Sequence, residues 1–424
     1  MEKWYQLDNA AKVFPSVTSE RNSSVFRVAA ILKTEVKPEA LKEAIKITLL
    51  RYPMFTVQLR KGVFWNYLDD NQKELKIEEE QDFPCSTIHT EQNNGYLFRV
   101  LYYKKRIAVE MFHALTDGNG AIEFLKTLLY YYFKNNGNSF TVGSGILTAE
   151  STNSLAEAED SFQRYYKPCY VETTENQKAY HIKGMPFNTP GTNVTHGVVS
   201  AAALNALAKK ENVTITALLT GILIYAIHQT RVQYDRKNQP IVVAVPVNLR
   251  KAFPSKTLRN FFGVVNIGVF VEKETTISSI IKRCNSMLVH KTSKEHLQNL
   301  IYNYVSLERK KSAYFVPLFL KSYFMNIGFQ KLGENKKTIS MSNLGRVNFP
   351  PEMADEIEAL ETIMYPTKNS PLNCSLCTVG DRMTITFARN IVDVDILQFF
   401  FTYLSKELEL DVEIYSNDWG VLDD

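Results

Sequence analysis

At 424 residues and 48.5 kDa, with 45% hydrophobic residues, the chain is too long for one ordinary core and long enough for two domains. Charged residues make up 22% and the net charge is only +4, which argues against a disordered chain and against a nucleic-acid partner held by a dominant basic field. The pairs Lys310-Lys311 and Lys336-Lys337 read as solvated surface.

The segment Met1-Glu2-Lys3-Trp4-Tyr5-Gln6-Leu7-Asp8 lacks the basic stretch and unbroken apolar run of a secretory signal, so a cytoplasmic protein is expected. Five scattered cysteines suggest no disulfide framework and fit a reducing compartment, where the sequons beginning at Asn22, Asn193 and Asn212 have no consequence. A helix is predicted from Pro38, a favourable first helical position, through Leu41, Ala44, Ile45, Thr48 and Leu49. It stops before Pro53, whose ring disfavours helical geometry at Tyr52.

Runs 96–103 and 106–112 are rich in β-branched and aromatic residues, and the two-residue gap Lys104-Lys105 suits a tight hairpin. His113 then ends a strand. After Gly118 and Gly120, the residues Ile122, Leu125, Leu128, Leu129 and Tyr132 recur at helical spacing, so the order is strand, loop, helix. The stretch 135–190 is polar and irregular and reads as a crossover. Helices are expected near 200–210 and 216–229. The second carries Thr216 and Thr220 and is too short to cross a bilayer, which takes about 20 apolar residues, so no transmembrane segment is expected. Strands at 241–245 and 263–270 follow. This alternation predicts a mixed α/β fold with lobes at 1–190 and 191–424.

A weak internal repeat supports the division. Arg106 precedes His113 by seven positions and Asp117 by eleven, and Arg382 precedes Arg389 by seven and Asp393 by eleven. Both copies start with an alternating strand and end in an apolar helix. Only the first has a histidine, so one reaction centre is expected.

A histidine at a strand end, before a glycine-containing turn, can be held rigidly while its ring faces a cleft, as a general base requires. Its ordinary pKa of about 6.5 leaves it largely neutral near pH 7. Local spacing leaves open a packed core histidine instead. Asp117 reads as a loop-fixing residue, with Gly118 allowing a sharp turn. No second histidine-rich segment completes a metal site, so no metal is expected. Cys374-Ser375-Leu376-Cys377 is a lone CxxC in apolar surroundings and reads as buried thiols. Gly143-Ser144-Gly145 lacks the remainder of a dinucleotide fingerprint, and His181, His196, His228, His290 and His296 have no motif around them.

His113-Ala114-Leu115-Thr116-Asp117-Gly118 resembles the HxxxDG signature of the chloramphenicol-acetyltransferase-like superfamily, whose members include plant-type acyltransferases, alcohol acetyltransferases and peptide condensation domains. Condensation domains usually carry a second histidine before the catalytic one, where this chain has Phe112. The resemblance implies two pseudo-repeated lobes, each a mixed sheet flanked by helices, with a tunnel between them and His113 as general base. Pro246-Val247-Asn248-Leu249-Arg250 and Asn260-Phe261-Phe262-Gly263 resemble the family's second-lobe arginine and its following segment, which implies an Asp117–Arg250 ion pair, with Lys251 or Arg259 as substitutes. Ser340-Met341-Ser342-Asn343-Leu344-Gly345-Arg346 resembles the Ser-Asn strand facing the histidine, which implies Ser342 as oxyanion donor with Asn343 behind it. The implied reaction moves an acyl group from acyl-CoA, a co-substrate instead of a tightly bound cofactor, to an alcohol or amine, with alcohol acetyltransferases the nearest analogy. A condensation-like enzyme fed by an acyl carrier protein and a non-catalytic scaffold of the same fold are the alternatives.

Overall fold

The computed structural model describes residues 4–138, 145–169, 177–188, 191–231, 239–272, 274–306, 308–309 and 316–417. Gly143, Ser144, Lys310 and Lys311 lie outside the described residues. The amino-terminal elements are β1 (Trp4–Gln6), α1 (Phe14–Val17), β2 (Val25–Leu32), α2 (Pro38–Arg51), β3 (Val57–Lys61), β4 (Asn66–Asp70), β5 (Ile77–Glu79), β6 (Phe98–Tyr103), β7 (Arg106–Phe112) and α3 (Gly118–Asn135). There follow α4 (Ser161–Tyr165), β8 (Asn193–Ser200), α5 (Ala201–Lys210), α6 (Ile215–Thr230), β9 (Ile241–Asn248), β10 (Phe262–Val269), α7 (Ile277–Lys291), α8 (Lys294–Ser306) and α9 (Leu318–Gly328). The chain continues through β11 (Ile339–Arg346), α10 (Pro351–Ala354), β12 (Ile357–Met364), β13 (Leu372–Val379), β14 (Arg382–Arg389), α11 (Asp395–Thr402) and β15 (Glu413–Ser416).

The architecture is mixed α/β, with helices flanking the sheets. One five-stranded sheet has the order β12-β2-β7-β6-β5, a seven-stranded sheet has β10-β9-β11-β13-β14-β8-β15, and a small three-stranded sheet has β1-β4-β3. The β6–β7 hairpin turns at Lys104-Lys105, with Lys104 left-handed at φ 49°. Strand β7 is buried along nearly its whole length because it lies mid-sheet, with α2 and α3 sharing its core. Helix α6 is apolar around its circumference and accordingly sits inside the core of the larger sheet. No single helix among the described residues is long and apolar enough to cross a membrane.

Strand β12 comes from far down the chain yet pairs antiparallel with β2, along Ile357↔Leu32 to Met364↔Phe26. It also packs against β13 and β14, so the two large sheets meet along it. Buried charges lock this junction. Glu110 accepts from Arg27 Nε at 2.8 Å, Arg99 Nε at 2.7 Å and the Cys85 amide at 2.7 Å. Glu361 of β12 accepts from Arg106 Nε at 3.1 Å and from the Tyr415 hydroxyl at 3.0 Å. Despite burial, Arg99 and Arg27 keep the Glu110 carboxyl below the usual carboxylate range, and His196, Arg106 and the Tyr415 hydroxyl do the same for Glu361.

The internal repeat has a structural counterpart. Strands β7 and β14 occupy interior positions in their sheets, and each leads through a short loop into an apolar helix. Arg389 donates to the carbonyls of Ile391 and Val392, and Asp393 accepts from the Met185 amide at 2.7 Å, so the second copy is engaged in holding its own loop.

Candidate active site

His113 directly follows β7, and its backbone amide donates to Ser24 O at 2.8 Å across the strand ends. Three aromatic rings surround the imidazole. Phe14 stacks on it at 4.6 Å, Phe26 is tilted at 4.8 Å and Phe262 at 5.3 Å. Burial lowers the pKa of His113, opposed by the negative charge of Asp117 and the hydrogen bond to Asn260. The neutral imidazole, the form that accepts a proton, is therefore favoured at pH 7.

Asn260 orients that ring. Its Oδ1 lies 3.0 Å from His113 Nδ1, while its Nδ2 donates to His113 O at 3.0 Å and to Asp8 Oδ2 at 3.1 Å. Both acceptors on the Nδ2 side demand a donor, which assigns the amide orientation and leaves Oδ1 facing the ring. Neutral His113 consequently carries its proton on Nδ1, with the Nε2 lone pair available. Asn260 belongs to the Asn260-Phe261-Phe262-Gly263 segment, whose resemblance implies no role for it, and the sequence implies none for Asp8. Neither has a local sequence signal, because both partners lie far away in the chain.

Asp117 caps α3, accepting from the amides of Asn119 and Gly120 at 3.1 Å each. Its carboxylate also takes a forked ion pair from Arg250, Nη1 to Oδ2 at 2.7 Å and Nη2 to Oδ1 at 3.3 Å, and accepts the Phe261 amide at 2.9 Å. Arg250 spends its remaining donors on the carbonyls of Thr257 at 3.0 Å and Arg259 at 2.6 Å. Thr116 Oγ1 donates to Leu258 O at 2.5 Å and Asn248 Nδ2 to Asn119 Oδ1 at 3.3 Å. The histidine loop is thus clamped to the 248–262 segment from its first residue to its last.

The glycines act otherwise than the expected sharp turn. Gly118 is the first residue of α3 and has no positive φ, because Asp117 starts the helix there; a Cβ on it would meet Leu344 Cδ2 at 2.7 Å. A Cβ on Gly120 would collide with Thr116 Oγ1 and the Leu258 carbonyl oxygen, so Gly120 is the position that the clamp itself requires.

Ser342 and Asn343 lie within β11, and strand alternation separates them. Ser342 is in register with Ser375, whose hydroxyl bonds Thr362 O of β12, so Ser342 is on the face turned to the smaller sheet. Leu344, which packs on Gly118, belongs to the core of that sheet. Asn343 is not brought to the same face: its Nδ2 donates to Thr216 Oγ1 of α6 at 3.0 Å and its Oδ1 accepts the Gly345 amide at 2.8 Å.

Of the substitutes for Arg250, Lys251 is exposed and Arg259 lies 3.9 Å from Asp8. Arg259 is buried at the edge of a cleft of about 860 Å³, lined also by Trp4, Tyr5, Asp8, Lys12 and Asp160, and its Nη2 has no hydrogen-bond partner among the described residues. Cys374 and Cys377 are buried free thiols on β13. His196 stacks on Tyr415 at 4.7 Å beside Glu361, in the junction between the sheets. Among the described residues, no group of three or more His, Cys, Asp or Glu side chains is placed to hold a metal.

No family profile matches the chain, and no curated protein sequence matches it. Solved structures do. TRI101 of F. sporotrichioides, complexed with coenzyme A and T-2, superposes with a TM-score of 0.62 at 12% identity, covering 97% of this chain and 99% of that one. Polyketide synthase associated protein 5 from Mycobacterium tuberculosis gives 0.59 at 15% identity, covering 95% and 98%. The epimerization domain of tyrocidine synthetase B gives 0.59 at 11% identity, covering 96% and 97%. The chain has the two-lobed CoA-dependent acyltransferase/condensation fold. His113, at the end of β7, leads into the loop whose Asp117 is paired with Arg250.

Proposed function

We propose that the protein is an acyltransferase moving an acyl group from a coenzyme A thioester to an alcohol or amine, with His113 as general base. The carrying observation is the fixed tautomer, with Asn260 Oδ1 3.0 Å from Nδ1 and Nε2 left to accept a proton. Nε2 takes the proton of the acceptor as its oxygen or nitrogen attacks the thioester carbonyl. The tetrahedral oxyanion receives a hydrogen bond from Ser342 and collapses, breaking the carbon–sulfur bond. Protonated His113 then returns its proton to the thiolate. Asp117 and Arg250 hold the loop and exchange no proton, and Asn343 supports β11.

The lobes divide near residue 190 on this reading, and the protein acts in the cytoplasm. The likeness to an epimerization domain favours, as a second reading, a donor held on a carrier protein. The deciding experiment incubates the protein with a panel of acyl-CoA donors and mixed alcohols and amines, following thiol release and product mass. His113→Ala is expected to abolish transfer with the fold intact, and Ser342→Ala to lower turnover more than donor affinity. Full turnover by folded His113→Ala refutes the mechanism, and reaction only with a loaded carrier selects the second reading.

A further inference from the structure

Helix α9 is built inside out. Its inward face carries Lys321, whose ammonium lies 3.8 Å from the Trp65 ring centroid and donates to Phe64 O at 3.1 Å, and Ser322, bonded to Ser16 Oγ at 3.1 Å. Its outward face carries Phe319, Leu320, Tyr323 and Phe324, which are 71%, 40%, 63% and 63% exposed. These four positions share one side of a helix. The β3–β4 hairpin tip extends the same surface with Val63 and Phe64, 74% and 42% exposed, and is tied to α9 by the Leu318 amide donating to Val63 O at 3.0 Å. Apolar surface this concentrated, and mostly aromatic, marks an interaction face.

Charge selects the partner. Lys61 is exposed beside the hairpin tip, Arg60 next to it pairs with Asp69 at 3.4 Å, and Lys331 is exposed just past α9. A second copy meeting this face across a two-fold axis would set those cations against their like, whereas an anionic surface is complementary to them. Aromatic anchors rimmed by Lys and Arg are the composition of helices that lie in a bilayer interface. We propose that α9 and the β3–β4 tip dock the protein on an anionic lipid bilayer. The docked face lies close to the centre, because α9 packs on α1 and Phe14 of α1 stacks on His113 at 4.6 Å. Resting on the acyl-transfer reading, this makes one substrate lipophilic and held in the membrane.

The test sediments the full chain with vesicles of phosphatidylcholine plus phosphatidylserine, and with phosphatidylcholine alone. The protein is expected to bind the anionic vesicles, and more weakly at high salt, where the screening length shortens. Phe319→Glu combined with Phe324→Glu is expected to weaken binding about tenfold or more. A matched Phe319→Ser, Phe324→Ser protein with the wild-type melting temperature guards against a folding artefact. The proposal is overturned if the wild type stays in the supernatant, if the folded double variants bind as well as it does, or if they instead convert a wild-type dimer to monomer. His113→Ala is expected to bind vesicles normally while losing transfer, whereas a wild-type protein that docks but transfers no acyl group refutes the catalytic reading alone.

Discussion

Replacing Asn260 by alanine tests the tautomer argument directly. The truncation removes the acceptor 3.0 Å from His113 Nδ1 and the donors to His113 O and Asp8 Oδ2 at 3.0 and 3.1 Å. A buried donor left without its partner costs about 1–3 kcal/mol. Assigned to Nδ1–H, that cost falls on the one tautomer able to accept a proton at Nε2. At tenfold per about 1.4 kcal/mol, kcat/KM is expected to fall on the order of 5- to 150-fold, mainly in kcat. The Asn260 hydrogen bond also raises the His113 pKa against burial, so its loss lowers that pKa further. Since the neutral ring is the active form, the acid limb of the pH–rate profile is expected to move to lower pH. A merely loosened structure would reduce activity without that shift. Steady-state kinetics across pH, with circular dichroism confirming the fold, decide the matter. A folded variant whose kcat/KM stays within twofold of wild type, with an unmoved acid limb, refutes the reasoning.

Asp117→Asn removes a negative charge that raises the His113 pKa and leaves Arg250 uncompensated, so its acid limb is also expected at lower pH, together with a lower melting temperature. Gly120→Ala is expected to cost about 1–3 kcal/mol or more by overpacking against Thr116 and Leu258. Gly118→Ala, which meets only the flexible end of Leu344, is expected to cost less, and urea denaturation of both variants would expose the reverse order. Glu110→Gln strips the carboxylate shared by Arg27 and Arg99, and breaking a buried pair of this kind costs about 3–5 kcal/mol, which a shift in the urea midpoint measures. An unchanged midpoint would mean that the junction charges do not stabilise the fold.

The sequence by itself determined what depends on near neighbours. The hairpin that delivers His113 was legible because β-branched alternation and a two-residue turn are local signals, and Asp117 was legible as a loop-fixing residue four positions on. The α2 boundaries followed from Pro38 and Pro53 for the same reason. Tertiary structure decided the rest. Asn260 reaches His113 across 147 residues and Asp8 reaches Asn260 across 252, and no periodicity encodes such pairings. Alternation did separate Ser342 from Asn343, but which of them faced the smaller sheet depended on the register of β11 with β13. The insertion of β12 beside β2 was invisible because its partner strand lies over 300 residues away. The outward turn of Phe319, Tyr323 and Phe324 was hidden as well. Hydrophobic spacing specifies that a helix has an apolar face, and only the packing of Lys321 and Ser322 beneath it determined that this face meets the exterior.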